Sequence, residues 1–225
     1  MAGEYRSVFD IIGPVMVGPS SSHTAGAVAI GRAARHLIGG LPDEAIIDYY
    51  ESFAKTHKGH GTDYAIVSGL LGFAPDDGRV PNAVSIARDQ GVHIEFRECP
   101  GPSPIDHPNT AVLNMRRGQR QMSIFGCSIG GGTVEIRRIQ MNGYDLKPGG
   151  MLPLLLVEEP SGRPDSGQDD PVAQLAGAGD NLRRSSSYQS ADGGSIMHVY
   201  DLDKPLSELV LQKIRRAAPQ MIYIN

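Results

Sequence analysis

The sequence of 225 residues carries a formal net charge of −4 at pH 7, and 40% of its residues are hydrophobic. This length and composition predict a globular protein with one large or two small domains. The acidic balance argues against a nucleic-acid binder, the lack of a long apolar stretch argues against a membrane span, and the mixed charges of Met1–Arg6 predict a cytoplasmic rather than an exported chain.

The first informative segment is Gly18–Ala25, which places four hydroxyl side chains and an imidazole before an alanine-rich run. Apolar residues at helical spacing predict a helix from His23 to about Ile38, which Gly39-Gly40 would end. Amide groups at a helix start attract anions, hydroxyl side chains cap it, and His23 titrates near neutral pH. The segment suits a socket for a small carboxylate or phosphate, although an ordinary serine-capped helix would have the same sequence.

A similar arrangement follows the residues 45–57, whose β-branched and aromatic content predicts a strand. The run Lys58-Gly59-His60-Gly61-Thr62-Asp63 then opens a short helix over 64–74, with Thr62 and Asp63 as natural caps. His60 lies between two glycines and has little local packing to hold it as a core residue, so a functional role is favoured. His57, at the end of the predicted strand, is expected to be a structural or surface residue rather than a catalytic one.

The next elements are a helix over 80–91 and strands over 92–99, 111–117 and 121–140, the last interrupted by Gly130–Gly132. These glycines suit either a tight turn or the close approach of another backbone or a ligand. A proline-rich loop ends in His107-Pro108-Asn109-Thr110. His107 could equally anchor a turn or serve a functional site.

The C-terminal part follows a linker predicted over 141–150. Its elements have the order β-α-β-β-α-β of a ferredoxin-like fold, namely a strand over 152–159, a helix over 171–182, strands over 183–191 and 194–203, a helix over 206–218 and a strand over 220–224. We therefore predict an α/β (α+β) protein with domains at 1–145 and 146–225.

Four motifs in fixed order resemble the β subunits of bacterial iron–sulfur-dependent L-serine dehydratases, or L-serine ammonia-lyases. They are GPSSSHTAGA at 18–27, KGHGTD at 58–63, HPNT at 107–110 and SIGGG at 128–132. The tail at 151–225 resembles the ACT fold of those subunits, but it lacks the glycine that usually follows the first strand. We therefore expect it to act in pairing or docking rather than in binding an amino acid.

The resemblance implies that the first domain is similar to the allosteric substrate-binding domain of some phosphoglycerate dehydrogenases. It also implies a separate α subunit that holds a [4Fe–4S] cluster, and conversion of L-serine into pyruvate and ammonia. Only Cys99 and Cys127 are present in this chain, whereas such a cluster takes about four ligands. We expect no metal site here, activity only with the α subunit, and a homodimer formed through edge strands.

The site residues implied by the resemblance fall into three groups. His23 or His60 would act as acid, base or orienting group, unless the α subunit supplies the base. The residues expected to contact L-serine are Ser20, Ser21, Ser22, Thr24, Asn109 and Thr110. The residues expected to serve an effector or an interface are Lys58, Gly59, Gly61, Thr62, Asp63, Gly130 and Gly131.

Two other classes of function can be compared with this hypothesis. A stand-alone amino-acid sensor with an ACT-like dimerisation module would use the same residues without chemistry, but it would leave the HPNT and SIGGG loops unexplained. A P-loop NTPase is excluded because the sequence contains no GxxxxGK[ST] motif.

Overall fold

The structure is a computed structural model that describes residues 15–161, 172 and 181–225. The chain divides into two compact units, Met1–Arg137 and Arg138–Asn225. Both contain helices and strands, in agreement with the predicted mixed α/β class. None of the helices in the described ranges is long and apolar enough to cross a membrane.

The first unit contains four α-helices and most of one mixed sheet, counted over its described residues. Its elements are a π-helical turn Ser21–Ala25, α1 Gly26–Ile38, β1 Glu44–Tyr50, α2 Glu51–His60, α3 Thr62–Leu71, a 3-10 turn Val80–Asn82, α4 Ala83–Asp89, β2 His93–Glu98, β3 Asn109–Arg117, β4 Arg120–Gly130 and β5 Thr133–Met141. The strand order is β2-β1-β3-β4-β5. β1 runs parallel to β2 and antiparallel to β3, which pairs in turn with β4.

Helix α1 confirms the prediction for this part of the chain. It ends where Gly39 adopts a left-handed conformation with φ of 83° and donates its amide to the carbonyls of Arg35 and His36. Its apolar face crosses α3 at two glycines: a Cβ on Gly31 would lie 2.1 Å from the Ile66 carbonyl oxygen, and one on Gly69 would lie 2.2 Å from the Val28 carbonyl oxygen. The helices can approach this closely because neither residue has a side chain.

The single strand predicted over 45–57 is wrong in its second half, where β1 ends at Tyr50 and α2 begins. Glu51 turns the chain with a positive φ of 46°. The amides of Ser52 and Phe53 then donate to the carbonyl of Pro108, at 2.9 and 3.3 Å. This acceptor comes from a distant loop, so local composition could not reveal where the helix starts.

The second unit contains a four-stranded antiparallel sheet with the order β11-β8-β10-β9. After the end of β5, its elements are β6 Tyr144–Leu146, β7 Gly150–Met151, β8 Leu154–Pro160, β9 Leu182–Gln189, β10 Ser195–Leu202, α5 Glu208–Ala217 and β11 Ile222–Ile224. The predicted linker over 141–150 is thus wrong, because β6 forms a hairpin with β5.

The core of this sheet contains Leu155, Tyr200, Leu202 and Ile214, against which Val172 packs. Of the helix predicted over 171–182, only Val172, Asn181 and Leu182 lie within the described residues. The two compact units divide inside β5, between Arg137 and Arg138. Separate roles for the predicted domains 1–145 and 146–225 stay a prediction.

Candidate functional site

Ser20 caps the helical segment that begins with the π-helical turn and continues into α1. Its hydroxyl accepts a hydrogen bond from the main-chain amide of His23 at 3.3 Å and lies 3.2 Å from Nδ1 of the same residue. The same hydroxyl can accept from Nδ1 or donate to it, so this contact fits either tautomer of the ring.

Three further hydroxyl side chains lie in the same turn. Thr24 is fully buried, and its hydroxyl has no hydrogen-bond partner in the described part of the chain. Gly18 makes room for it, because a Cβ on Gly18 would lie 2.3 Å from Thr24 Oγ1. Ser21 and Ser22 are half-buried. Of the predicted hydroxyl contacts to L-serine, these two serines therefore keep part of their surface open.

His23 and His60 come from different helical segments, and their rings contact each other edge to face with centroids 4.7 Å apart. Phe53 of α2 also contacts the ring of His23, with ring centroids 5.1 Å apart. Burial, and after it the charge of His60, lower the pKa of His23 below its ordinary value. The ring is therefore held neutral at neutral pH, and its Nε2 atom is shielded from solvent without a partner among the described residues.

The corner between α2 and α3 differs from its prediction. Gly61, with φ of 72°, ends one helix and begins the next, and a Cβ on it would lie 2.0 Å from the Tyr64 hydroxyl. Asp63 lies in the first turn of α3 but forms no cap; its Oδ1 lies 2.6 Å from His57 Nδ1. The hydroxyl of Thr62 is buried and also caps nothing. The predicted caps are wrong because the Asp63 carboxylate instead contacts a histidine on the preceding helix.

His57 is buried and has a second acidic neighbour. Its Nε2 atom lies 3.0 Å from Glu98 Oε1, an atom that also accepts a hydrogen bond from Lys58 Nζ at 2.8 Å. Hydrogen bonds from Lys58 and then His57 lower the pKa of Glu98 to about 2. Lys58, predicted to serve an effector or interface, is thus paired within the chain, while Gly59 has open space where a side chain would lie.

The HPNT loop is held largely by its own hydrogen bonds. The main-chain amide of Asn109 donates to His107 Nδ1 at 3.1 Å, so His107 anchors the turn. The buried Thr110 hydroxyl donates to the His107 carbonyl at 2.6 Å and accepts from Ser103 at 2.9 Å. Asn109 Nδ2 donates to the Ser128 carbonyl at 3.3 Å. The hydroxyl of Thr110 is therefore used inside the loop, and Asn109 links this loop to the next motif.

The SIGGG motif lies against the start of α1. Ser128 is fully buried, and a Cβ on Gly26 would lie 2.2 Å from its hydroxyl oxygen. The following Ile129 is 42% exposed. Gly130 and Gly131 have positive φ angles of 114° and 60°, and nothing lies near the position that a side chain of Gly130 would take. The loop is therefore a tight turn with an open outer face.

All four sequence motifs are joined by these contacts. The first meets the second through His23 and His60, and it meets the fourth through Gly26 and Ser128. The third joins them through Asn109. Sequence reasoning missed the contribution of Phe53, for which no local signal exists, and that of Ser128, which lay inside a motif but was assigned no role.

An open groove with a volume of about 840 Å³ lies beside α2. Its lining includes Glu51, Lys55, His57, Glu98 and Cys99, but neither His23 nor His60. The groove therefore adjoins the His57 contacts rather than the pair of histidines.

The described residues give no candidate for a metal centre. Within the described ranges, no group of three or more His, Cys, Asp or Glu side chains is arranged to hold a metal ion. Cys127 is buried, with a pKa raised to about 11 by that burial, and Cys99 is half-buried.

Sequence comparison assigns the family. The family described as "Serine dehydratase beta chain" matches residues 7–93. A protein of Bacillus subtilis (strain 168) named "Probable L-serine dehydratase, beta chain" is 51% identical over 154 residues, which cover 68% of each chain. The chain belongs to the L-serine dehydratase β-chain family.

Two other relatives of the L-serine dehydratase family extend this match. The "L-serine dehydratase, beta chain" of Peptoniphilus asaccharolyticus is 34% identical over 205 residues, or 90% of this chain and 89% of that protein. "L-serine dehydratase 2" of Escherichia coli (strain K12) is 34% identical over 114 residues, but these make up 25% of its own length. The β-chain family therefore covers nearly the whole sequence, whereas the last relative contains much additional chain.

Proposed function

We propose that this chain is the β subunit of an L-serine dehydratase, which converts L-serine into pyruvate and ammonia together with an α subunit. The similarity to two β chains over most of the sequence carries this proposal. The meeting of His23 and His60 beside a serine-capped helix supports it, because proton-transfer groups lie next to a favourable position for a carboxylate.

The helix start is the proposed binding position for the carboxylate of L-serine. The first amides of a helix have no partner within the helix, and its dipole favours an anion there. The half-buried hydroxyls of Ser21 and Ser22 would add donors at the same end. Ser20 would contribute indirectly, by holding the His23 ring in place.

His23 is the better placed of the two histidines to accept a proton. Its lowered pKa keeps it neutral, which is the form that a base requires. His60, which is exposed, would orient the substrate or hold the proton next to His23. In this scheme the first serine cluster and the KGHGTD motif belong to one site. An effector that contacts Lys58, Gly59 and Asp63 would then bind at the edge of this site.

The partner would hold the [4Fe–4S] cluster, which, when bound, would supply Lewis-acid assistance to loss of the substrate hydroxyl. The ligand count of this chain supports that division. The exposed loop with Ile129, Gly130 and Gly131 lies next to the proposed site and is a candidate for contact with the α subunit. We place the complex in the cytoplasm.

The second unit would be an ACT-like, ferredoxin-like module that pairs two copies of the chain. Its strand order β11-β8-β10-β9 supports this fold, because the four strands in chain order then occupy the positions 4-1-3-2 with antiparallel neighbours. The strand β9 lies at one edge of the sheet, and an unpaired edge is stabilised by a partner strand.

The test is to co-express this chain with its α partner, assemble the cluster without oxygen and measure pyruvate formed from L-serine. Each subunit alone serves as the control. Pyruvate from the pair and from neither subunit alone is expected. A pair with an intact cluster that forms no pyruvate, while this chain alone still binds L-serine, would contradict the dehydratase and favour the sensor.

A further inference from the structure

Helix α2 carries three rings at helical spacing, of which those of Phe53 and His57 are buried. Phe53 and His60 contact His23, and His57 lies between them. His57 is 3% exposed and packs on Tyr49, with ring centroids 4.7 Å apart. The orientation of His60 therefore depends on how the last turn of α2 is held, and His57 is the buried polar residue of that turn.

Both ring nitrogens of His57 are held by carboxylates, one from α3 and one from β2. Nδ1 lies 2.6 Å from Asp63 Oδ1, and Nε2 lies 3.0 Å from Glu98 Oε1. An ionised carboxylate only accepts hydrogen bonds, so each ring nitrogen that carries a proton donates to the carboxylate beside it. Burial, and after it the nearby Asp63 carboxylate, raise the pKa of the adjacent Tyr49 well above its ordinary value.

The contact between His57 and Asp63 encloses the segment that contains His60. The main-chain amide of Gly61 donates to the His57 carbonyl, and the side-chain contact then joins the same turn to the first turn of α3. Rotation or unwinding at the end of α2 would break this short contact. The Glu98 contact lies on the other side, next to the open groove, and it is shared with the exposed Lys58.

We propose that His57 is a positioning residue, which fixes the last turn of α2 through Asp63 so that His60 faces His23. This inference rests on the function proposed above. A displacement of about 1 Å at a reacting group can cost about 100-fold in rate, so loss of the Asp63 contact should lower kcat much more than it raises KM. A residue that only stabilised the fold would lower the amount of folded protein and leave kcat per folded site unchanged.

Two substitutions of one residue separate the two contacts. In His57→Asn the amide nitrogen takes the approximate place of Nδ1 and can still donate to Asp63. In His57→Gln the amide nitrogen takes the place of Nε2 and can still donate to Glu98. With the assembled pair of subunits, we expect kcat for L-serine to fall about threefold or less in the first variant and about 10- to 100-fold in the second.

Controls come from the acceptors and from an exposed histidine. Asp63→Leu should resemble His57→Gln, and Glu98→Leu should resemble His57→Asn, because a leucine side chain cannot accept a hydrogen bond from the ring. The exposed His93 receives the same two substitutions, which should leave kcat at the wild-type value. Equal losses in H57N and H57Q, or a larger loss in H57N, would overturn the proposal, as would full kcat in both.

A second measurement does not depend on turnover. Hydrogen exchange of the amides at 58–62, followed in the full chain with its partner, should be faster in H57Q than in wild type and near wild type in H57N. Unchanged exchange in H57Q would overturn the positioning role even if the dehydratase proposal holds. If the wild-type pair forms no pyruvate but amide exchange is still faster in H57Q than in wild type, the positioning role of His57 is supported and only the dehydratase proposal is contradicted.

Discussion

The imidazole of His60 lies edge to face against that of His23, with ring centroids 4.7 Å apart. The charge of His60 lowers the pKa of His23, second to the effect of burial. Burial and the neighbouring His60 therefore keep His23 neutral where a base would be needed.

Replacing His60 by glutamine should raise the pKa of His23. The contribution of burial remains in the variant, so the pKa should rise only part of the way towards 6.5. The measurement is the chemical shift of the His23 ring protons in a pH titration followed by NMR. His93→Gln, at an exposed histidine, should leave that titration unchanged, and an unchanged His23 titration in H60Q would contradict the coupling.

How far the site could be predicted from sequence depends on the range of each contact. The end of α1 at Gly39-Gly40 and the cap by Ser20 are local, so the sequence predicts them. The start of α2 depends on the Pro108 carbonyl, and the environment of His57 depends on Glu98. Both partners are far away along the chain, and no periodicity or spacing could bring them together.

The resemblance behaved differently from the local patterns. It divided 18–27, 58–63, 107–110 and 128–132 between contacts to L-serine and contacts to an effector or an interface, whereas the contacts of His23, Gly26, Asn109 and Ser128 join all four motifs. It did not distinguish side chains that are used inside the fold from those left open. The hydroxyl of Thr110, fully engaged within its loop, has the same appearance in the sequence as the half-buried Ser21.

His107 should make the stability of the protein depend on pH. Burial, and then Arg137, lower its pKa below 6.5 in the folded state, so the unfolded chain binds more protons at mildly acidic pH. Its contribution is fully present above pH 6.5 and is lost as the pH falls through that value towards the folded pKa. The free energy of unfolding, measured with urea from pH 7.5 to 5.5, should fall less steeply in His107→Gln than in wild type. A free energy of unfolding that falls as steeply or more steeply in the variant than in wild type would contradict this prediction.

The close crossing of α1 and α3 should not tolerate a side chain at Gly31. An added Cβ would lie 2.1 Å from the Ile66 carbonyl oxygen, which is main chain and cannot move away alone. Gly31→Ala should lower the free energy of unfolding by about 1–3 kcal/mol or more. Gly78→Ala is the matched control, because nothing lies within 4 Å of its added Cβ. Equal stability of the two variants in thermal or urea unfolding would contradict the packing described for these helices.

Ser20 should affect both stability and turnover, and a second capping serine separates the two effects. Ser207 caps α5 through its hydroxyl and the Val210 amide, as Ser20 caps the first helical segment through the His23 amide. Loss of either cap in Ser20→Ala or Ser207→Ala should cost about 0.5–2 kcal/mol of stability.

Of these two serines, only Ser20 also contacts a histidine ring, at 3.2 Å from His23 Nδ1. In the assembled pair, S20A should therefore lower kcat for L-serine about 10-fold or more, which is part of the roughly 10²–10⁴-fold that a positioned acid–base group contributes, and S207A should leave it at the wild-type value. Equal kcat in the two variants at equal folded concentration would show that the Ser20 hydroxyl serves the helix and not the histidine.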